Sequence, residues 1–182
     1  MSDIGSDRAV FVFDPDARYG FVREIRDAGV MPTPGLRYVA AVTGPWKVIK
    51  VIQFEGVEQL LQRLSAPGDD TATSFGLAKV RRSHYRNHTV FVRIETDVAD
   101  PNELLTKIAE ALGIPQDDLE ADVIVGDFDI LVCLSDDDED TLSSWVLAIR
   151  AITGVRRTVT LRVLDYVSTS DKADADHRVA SA

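Results

Sequence analysis

A chain of 182 residues of which 45% are hydrophobic can bury one large or two small cores, which excludes a disordered protein. Its formal net charge of -10 argues against direct DNA binding, because the surface as a whole repels a phosphate backbone. Cys133, the single cysteine, excludes an intrachain disulfide and a multi-cysteine zinc site and suits a reducing, cytoplasmic location, while no apolar run approaches the roughly 18 residues of a membrane span.

The chain opens with a strand, Ala9-Val10-Phe11-Val12-Phe13, dense in β-branched and aromatic residues. Asp14-Pro15 then starts a helix that turns Phe21, Val22, Ile25 and Ala28 inward and stops at Gly29. Two strands within Tyr38 to Ile49 are joined by a turn at Gly44, followed by Trp46. Val57, Leu60, Leu61 and Leu64 make one helical stripe, and a strand beginning Thr71-Ala72-Thr73 closes the set at Val80. Arg81 to His88 has no periodicity and reads as a linker.

The same order then repeats. Thr89 to Ile94 is a strand; Asp100 caps a helix with Pro101 at its first position, Glu103 in its first turn, a stripe of Leu104, Leu105, Ile108 and Leu112, and Gly113 as the stop. Strands within Ala121 to Leu131 turn at Gly126, and Phe128 stands where Trp46 stood. Leu142, Trp145, Val146 and Ile149 form the second stripe, and Thr158-Val159-Thr160-Leu161 leads the closing strand to Val167. The expected fold is therefore α+β: two tandem ferredoxin-like β-α-β-β-α-β units of the dimeric α/β-barrel type, with antiparallel sheets packed face to face. The expected boundaries are 8–80 for the first repeat, 81–88 for the linker, 89–167 for the second repeat and 168–182 for a disordered tail. Around Phe128 to Leu134 the strand is apolar on both faces, and one layer of helices covers only one of them, so the face carrying Leu131 and Cys133 is expected to be buried as well.

Val125-Gly126-Asp127-Phe128-Asp129-Ile130-Leu131, a helix, then Thr153-Gly154-Val155-Arg156-Arg157-Thr158-Val159-Thr160 closely resembles the effector-binding domain of the leucine-responsive/AsnC family. The first repeat keeps Val42-Thr43-Gly44-Pro45-Trp46 but has Lys47 where the family has an acid. The resemblance implies the family's regulatory half, duplicated and without its helix-turn-helix domain, with a small effector such as an amino acid and homo-oligomerisation or co-assembly with related regulators.

An amino-acid effector needs donors for its carboxylate and an acid for its ammonium. The turn at Gly126 with Asp127 or Asp129, and Arg156 or Arg157 beyond, is a chemically sensible set; solvated surface charge is the alternative for the charged members. Gly44 and Trp46 are the corresponding candidates in the first repeat. The acids Asp136 to Asp140 cap and complement a helix start and lack the pattern of a calcium loop, and His84 and His88 have no third ligand, so no metal and no cofactor are expected. The leading expectation is a non-catalytic regulatory binding module. The alternatives are a dimeric α/β-barrel enzyme such as a small monooxygenase, whose pocket lies between helix and sheet, and a co-assembling modulator of DNA-binding relatives.

Overall fold

A computed structural model describes residues 8–17, 20–28, 35–54, 56, 58–59, 74–79 and 88–168. The chain divides into two compact units, Met1–Val80 with Leu164–Ala182, and Arg81–Val163. The architecture is α+β with antiparallel strands and few helices, of the ferredoxin-like, α+β-barrel type. Among the described residues no helix is long and apolar enough to cross a membrane.

In the first unit β1 (Arg8–Asp14) pairs on one side with β3 (Val48–Phe54) and on the other with β4 (Ser74–Lys79), and β2 (Leu36–Val42) pairs with β3. Alternation turns Val10, Val12, Val39, Val48 and Ile52 toward one face, where Val22 and Ile25 of α1 (Gly20–Ala28) join them in a continuous apolar cluster. Phe13 falls on the other face, fully buried, with its ring 5.5 Å from that of Trp46 at 59°. Helix α1 starts later than the sequence suggests. Asp14 Oδ1 accepts hydrogen bonds from the amides of Asp16 and Ala17, at 2.9 and 3.0 Å, so Asp14-Pro15 closes the turn after β1 instead of capping a helix. The expected helix through Val57 to Leu64, the linker 81–87 and the tail 169–182 lie outside the described residues, apart from positions 58–59.

In the second unit β5 (His88–Thr96) lies between β8 (Ile130–Asp136) and β9 (Val155–Ser168), and β6 (Ala121–Val123) pairs with β8. A two-residue strand β7, Val125–Gly126, precedes the turn into β8. His88, expected in the linker, is the first residue of β5, and Ser168, expected in the tail, ends β9. Helix α2 (Pro101–Leu112) begins as its residues dictate: Asp100 accepts from the Asn102 amide, Pro101 fills the first turn, and Gly113 ends it in the left-handed conformation at φ 68°. Helix α3 (Glu139–Arg150) is capped by Asp138, which accepts from the amides of Asp140 and Thr141. Leu104, Ile108, Ala109 and Leu112 of α2 and Leu142 and Ile149 of α3 pack on Val90, Val92, Ile94, Ile130, Val132 and Leu134. The opposite face of this sheet is buried too, at Phe91, Leu131 and Leu161.

Gly154, in the turn between α3 and β9, has φ +101°, and a Cβ placed there would lie 2.4 Å from Cγ2 of Val98. Glycine is thus required twice over, by conformation and by space. Replacing Gly154 by Ala is expected to destabilise the protein by about 2 kcal/mol or more, and Ile108→Ala, which empties a fully buried position, by about 2–5 kcal/mol. Urea unfolding measures both, and a loss below about 0.5 kcal/mol for either would contradict this packing.

Candidate functional site

A cluster of charges gathers at the end of the second unit's sheet. The register of β5 and β9 sets Glu95 opposite Arg157 and Thr96 opposite Val155, leaving Arg156 as the extra residue of a β-bulge. In a regular strand Arg156 and Arg157 would point to opposite faces. Here both reach one carboxylate: Arg156 Nη2 is 2.7 Å from Glu95 Oε2, and Arg157 Nη1 is 3.5 Å from Glu95 Oε1. Arg156 Nε also lies 3.9 Å from Asp97.

Arg93 stands two residues before Glu95 on the same strand, and therefore on the same face. It is buried at 7% exposure among Phe91, Leu131 and Leu161, and its guanidinium carbon sits 4.2 Å from the centre of the Phe128 ring. Burial pulls its pKa down to about 10, opposed by the negative charges of Asp127 and Glu95 and reinforced by Arg157. The side chain still carries its charge at neutral pH.

A position with the same count along its strand in the first unit carries no charge. Phe13 is the sixth residue of β1 as Arg93 is of β5, and Trp46 follows Gly44 by two residues as Phe128 follows Gly126. There two aromatic rings meet; in the second unit a guanidinium takes one ring's place.

The sequence-derived site residues separate into three groups. Arg156, Arg157 and Asp127 belong to the charged corner. Asp129 does not oppose the arginines: its Oδ2 accepts from the Thr96 amide at 2.8 Å, and its own amide donates to Ile94 O at 3.0 Å, so it ties the hairpin to β5. Gly126 is exposed in β7 beside this hairpin. Gly44 and Trp46 lie in the first unit, where Trp46 packs on Phe13. Arg93 and Glu95 were not singled out from sequence, although a cation alternating with apolar residues on the helix-free side of a strand is a legible signal.

At the far end of β5, Arg162 bonds Glu139 and approaches His88 Nδ1 at 3.4 Å, while Ser135 Oγ meets Thr89 Oγ1 at 2.8 Å. These contacts fasten the start of α3 to the sheet. Among the described residues no group of three or more His, Cys, Asp or Glu could hold a metal ion. Burial, then the nearby Glu120, push the Cys133 thiol well above its ordinary pKa, so it is protonated.

No family model matches the chain, and no curated protein matches it. Solved structures do. The siroheme decarboxylase NirDL, in co-complex with an iron-uroporphyrin III analogue, has a TM-score of 0.60 at 9% identity, over 90% of this chain and 73% of that one. Chlorite dismutase from Candidatus Nitrospira defluvii, in complex with imidazole, scores 0.53 at 13% identity, over 91% and 92%. A haem-binding protein from Thermus thermophilus scores 0.51 at 13% identity, over 89% and 92%. These likenesses establish a shared fold.

They also correct the resemblance to leucine-responsive/AsnC effector domains. The motifs behind it serve the architecture: Gly154 is demanded by its turn, Asp129 by a backbone amide, and the threonines lie along a closing strand. Residues that a turn or a backbone amide requires carry no information about what the protein does. The expectations of a non-catalytic module, of transcription regulation and of amino-acid binding are overturned with it, since the similar structures are enzymes and haem proteins; the enzyme alternative is the better supported.

Haem iron needs an axial donor. His88, the one histidine among the described residues, turns Nδ1 toward a guanidinium, the Cys133 thiol is protonated, and Tyr38 stacks on Tyr166 with ring centres 5.6 Å apart. The charged corner of Arg93, Glu95, Asp97, Asp127, Arg156 and Arg157 offers a haem iron no imidazole, thiol or phenol.

Replacing Asp129 by Ala strands the Thr96 amide and is expected to cost about 1–3 kcal/mol in urea unfolding; an unchanged midpoint would contradict its tying role. Asp138 carries a pH signature. Hydrogen bonds from the Thr141 side chain and amide hold its carboxyl below the ordinary 3.8. Its folded pKa is depressed, so the stability it adds is complete above 3.8 and lost as pH falls through the folded value. Asp138→Asn keeps a capping oxygen but does not titrate. The stability difference between wild type and this variant is expected to be constant above about pH 5 and to shrink below 3.8. A difference independent of pH in acid unfolding would contradict it.

Proposed function

We propose that this chain is an enzyme of the α+β-barrel type that acts on a flat, carboxylate-bearing ligand of the tetrapyrrole class, with Arg93, Arg156 and Arg157 holding the ligand's carboxylates and Phe128 lying beneath Arg93. The observation that carries the reading is the exchange of an aromatic pair in the first unit for the Arg93–Phe128 pair in the second. A buried cation costs stability that an aromatic or aliphatic side chain does not, so a fold that has an apolar solution keeps the charge for another purpose. Guanidinium forks match carboxylates in shape and charge, and the resemblance in fold to a siroheme decarboxylase and to a haem-binding protein supports a tetrapyrrole as the carrier of those carboxylates.

The finer architecture is part of the same reading. Each unit has the order closing strand, first strand, third strand, second strand, which supports a tandem duplication of one ferredoxin-like motif. The protonated Cys133 thiol and the lack of any second cysteine suit a cytoplasmic enzyme.

Titration with uroporphyrin III, followed by absorbance and tryptophan fluorescence, tests the reading. The wild-type chain is expected to bind with Kd of about 1 μM or below. Arg93→Met replaces a buried charge by an apolar side chain of similar length; it should hold or raise stability while weakening binding at least tenfold. Mass spectrometry of the recovered ligand should show turnover by wild type and none by Arg93→Met. Failure of the wild type to bind, or equal binding by the variant, would refute the assignment.

A further inference from the structure

Two of the three arginines, Arg156 and Arg157, converge on a carboxylate that the chain itself supplies. Glu95 keeps 25% of its side chain exposed, while Arg156 and Arg157, which hold it, are 59% and 67% exposed. Ion pairs this open to water are weak, so either arginine can exchange one carboxylate for another. Arg93 differs. Packed against Phe128 and buried, it is held in place, and it feels the charges of Asp127 and Glu95. The bulge at Arg156 brings the second mobile guanidinium to the same face as the first, a placement that an unbulged strand forbids. Two mobile guanidinia on one carboxylate, beside a third that is fixed, is an arrangement for trading that carboxylate against an incoming anion.

We propose that Glu95 is an internal occupant of a polycarboxylate site: it rests on Arg156 and Arg157 until two carboxylates of a ligand displace it, while Arg93 takes a third. The preferred ligands are then those carrying several carboxylates around a flat core, and Glu95 sets the threshold, because a ligand with a single carboxylate offers the arginines no more than Glu95 already does. Asp97, at 3.9 Å from Arg156 and 73% exposed, is a weaker second competitor. This inference rests on the reading of the charged corner as a ligand site, and it does not depend on the ligand being a tetrapyrrole.

The test uses the full chain and two probes, benzenehexacarboxylate and uroporphyrin III, with benzoate as the single-carboxylate control, each titrated by calorimetry at fixed salt. Glu95→Gln keeps the shape and removes the charge. It is expected to tighten benzenehexacarboxylate at least fivefold, whereas Arg156→Ala with Arg157→Ala weakens it at least tenfold, and benzoate should show no binding to wild type. Asp97→Asn is expected to change affinity less than Glu95→Gln does. Circular dichroism establishes whether each variant folds. Should Glu95→Gln not fold, Glu95→Ala carries the same expectation, since it too removes the competing carboxylate. Unchanged or weaker binding of benzenehexacarboxylate by the folded Glu95 variant, or no binding by either form, overturns the internal-occupant role. If benzenehexacarboxylate behaves as expected and uroporphyrin III does not bind, the polycarboxylate site stands and the tetrapyrrole reading alone is lost.

Discussion

The second unit is organised around one costly act, the burial of the Arg93 guanidinium on the helix-free face of its sheet. An unpaired ion there would cost several kcal/mol, and the surroundings are arranged to hold that cost down. Phe128 offers the face of its ring, Asp127 and Glu95 supply negative charge, and the hairpin bearing Asp127 and Phe128 is fixed by Asp129 on the Thr96 amide. The bulge in β9 and the left-handed Gly154 follow from the same corner, because they decide where Arg156 and Arg157 emerge. A sheet end that could have been closed by two rings is instead closed by a network of charges.

Much of the fold was legible because it is written in local chemistry. Asp100, Pro101 and Gly113 bound α2 by capping, a proline at the first turn and a left-handed stop, each a short-range requirement that one residue meets. Leu104, Ile108 and Leu112 declare their face by spacing alone, and Ile130, Val132 and Leu134 declare theirs by alternation. The burial of Leu131 followed from the apolar character of both faces of its strand. Elsewhere local signals misled. Asp14-Pro15 has the composition of a helix start, yet the carboxylate serves the turn that leaves β1, accepting from the amides of Asp16 and Ala17.

The site was legible only in part, because its defining features are matters of register. Nothing in the string Val155-Arg156-Arg157-Thr158 says that a bulge falls on Arg156, and without it the two arginines would part to opposite faces. Asp129 looked like a ligand acid because it follows a glycine turn and an amino-acid effector needs an acid for its ammonium; its backbone partner lies 33 positions away and is invisible to spacing. Arg93 could have been found by asking why a cation stands on β5 at the position that Phe13 takes on β1. The same lesson explains the misleading family resemblance: the most conspicuous residues were those that the fold requires, and such residues carry no information about chemistry.

The central claim is that Arg93, Arg156 and Arg157 bind ligand carboxylates as a set. Nitrogen-15 spectra of the arginine side chains, recorded while uroporphyrin III is added to the intact protein, address it without any substitution. The account predicts that the Nε signals of these three arginines shift together and saturate at one ligand concentration, while those of Arg150 and Arg162, engaged with Thr158 and Glu139, stay in place. Shifts confined to other arginines, or an Arg93 signal that remains unmoved while the ligand saturates, would contradict it.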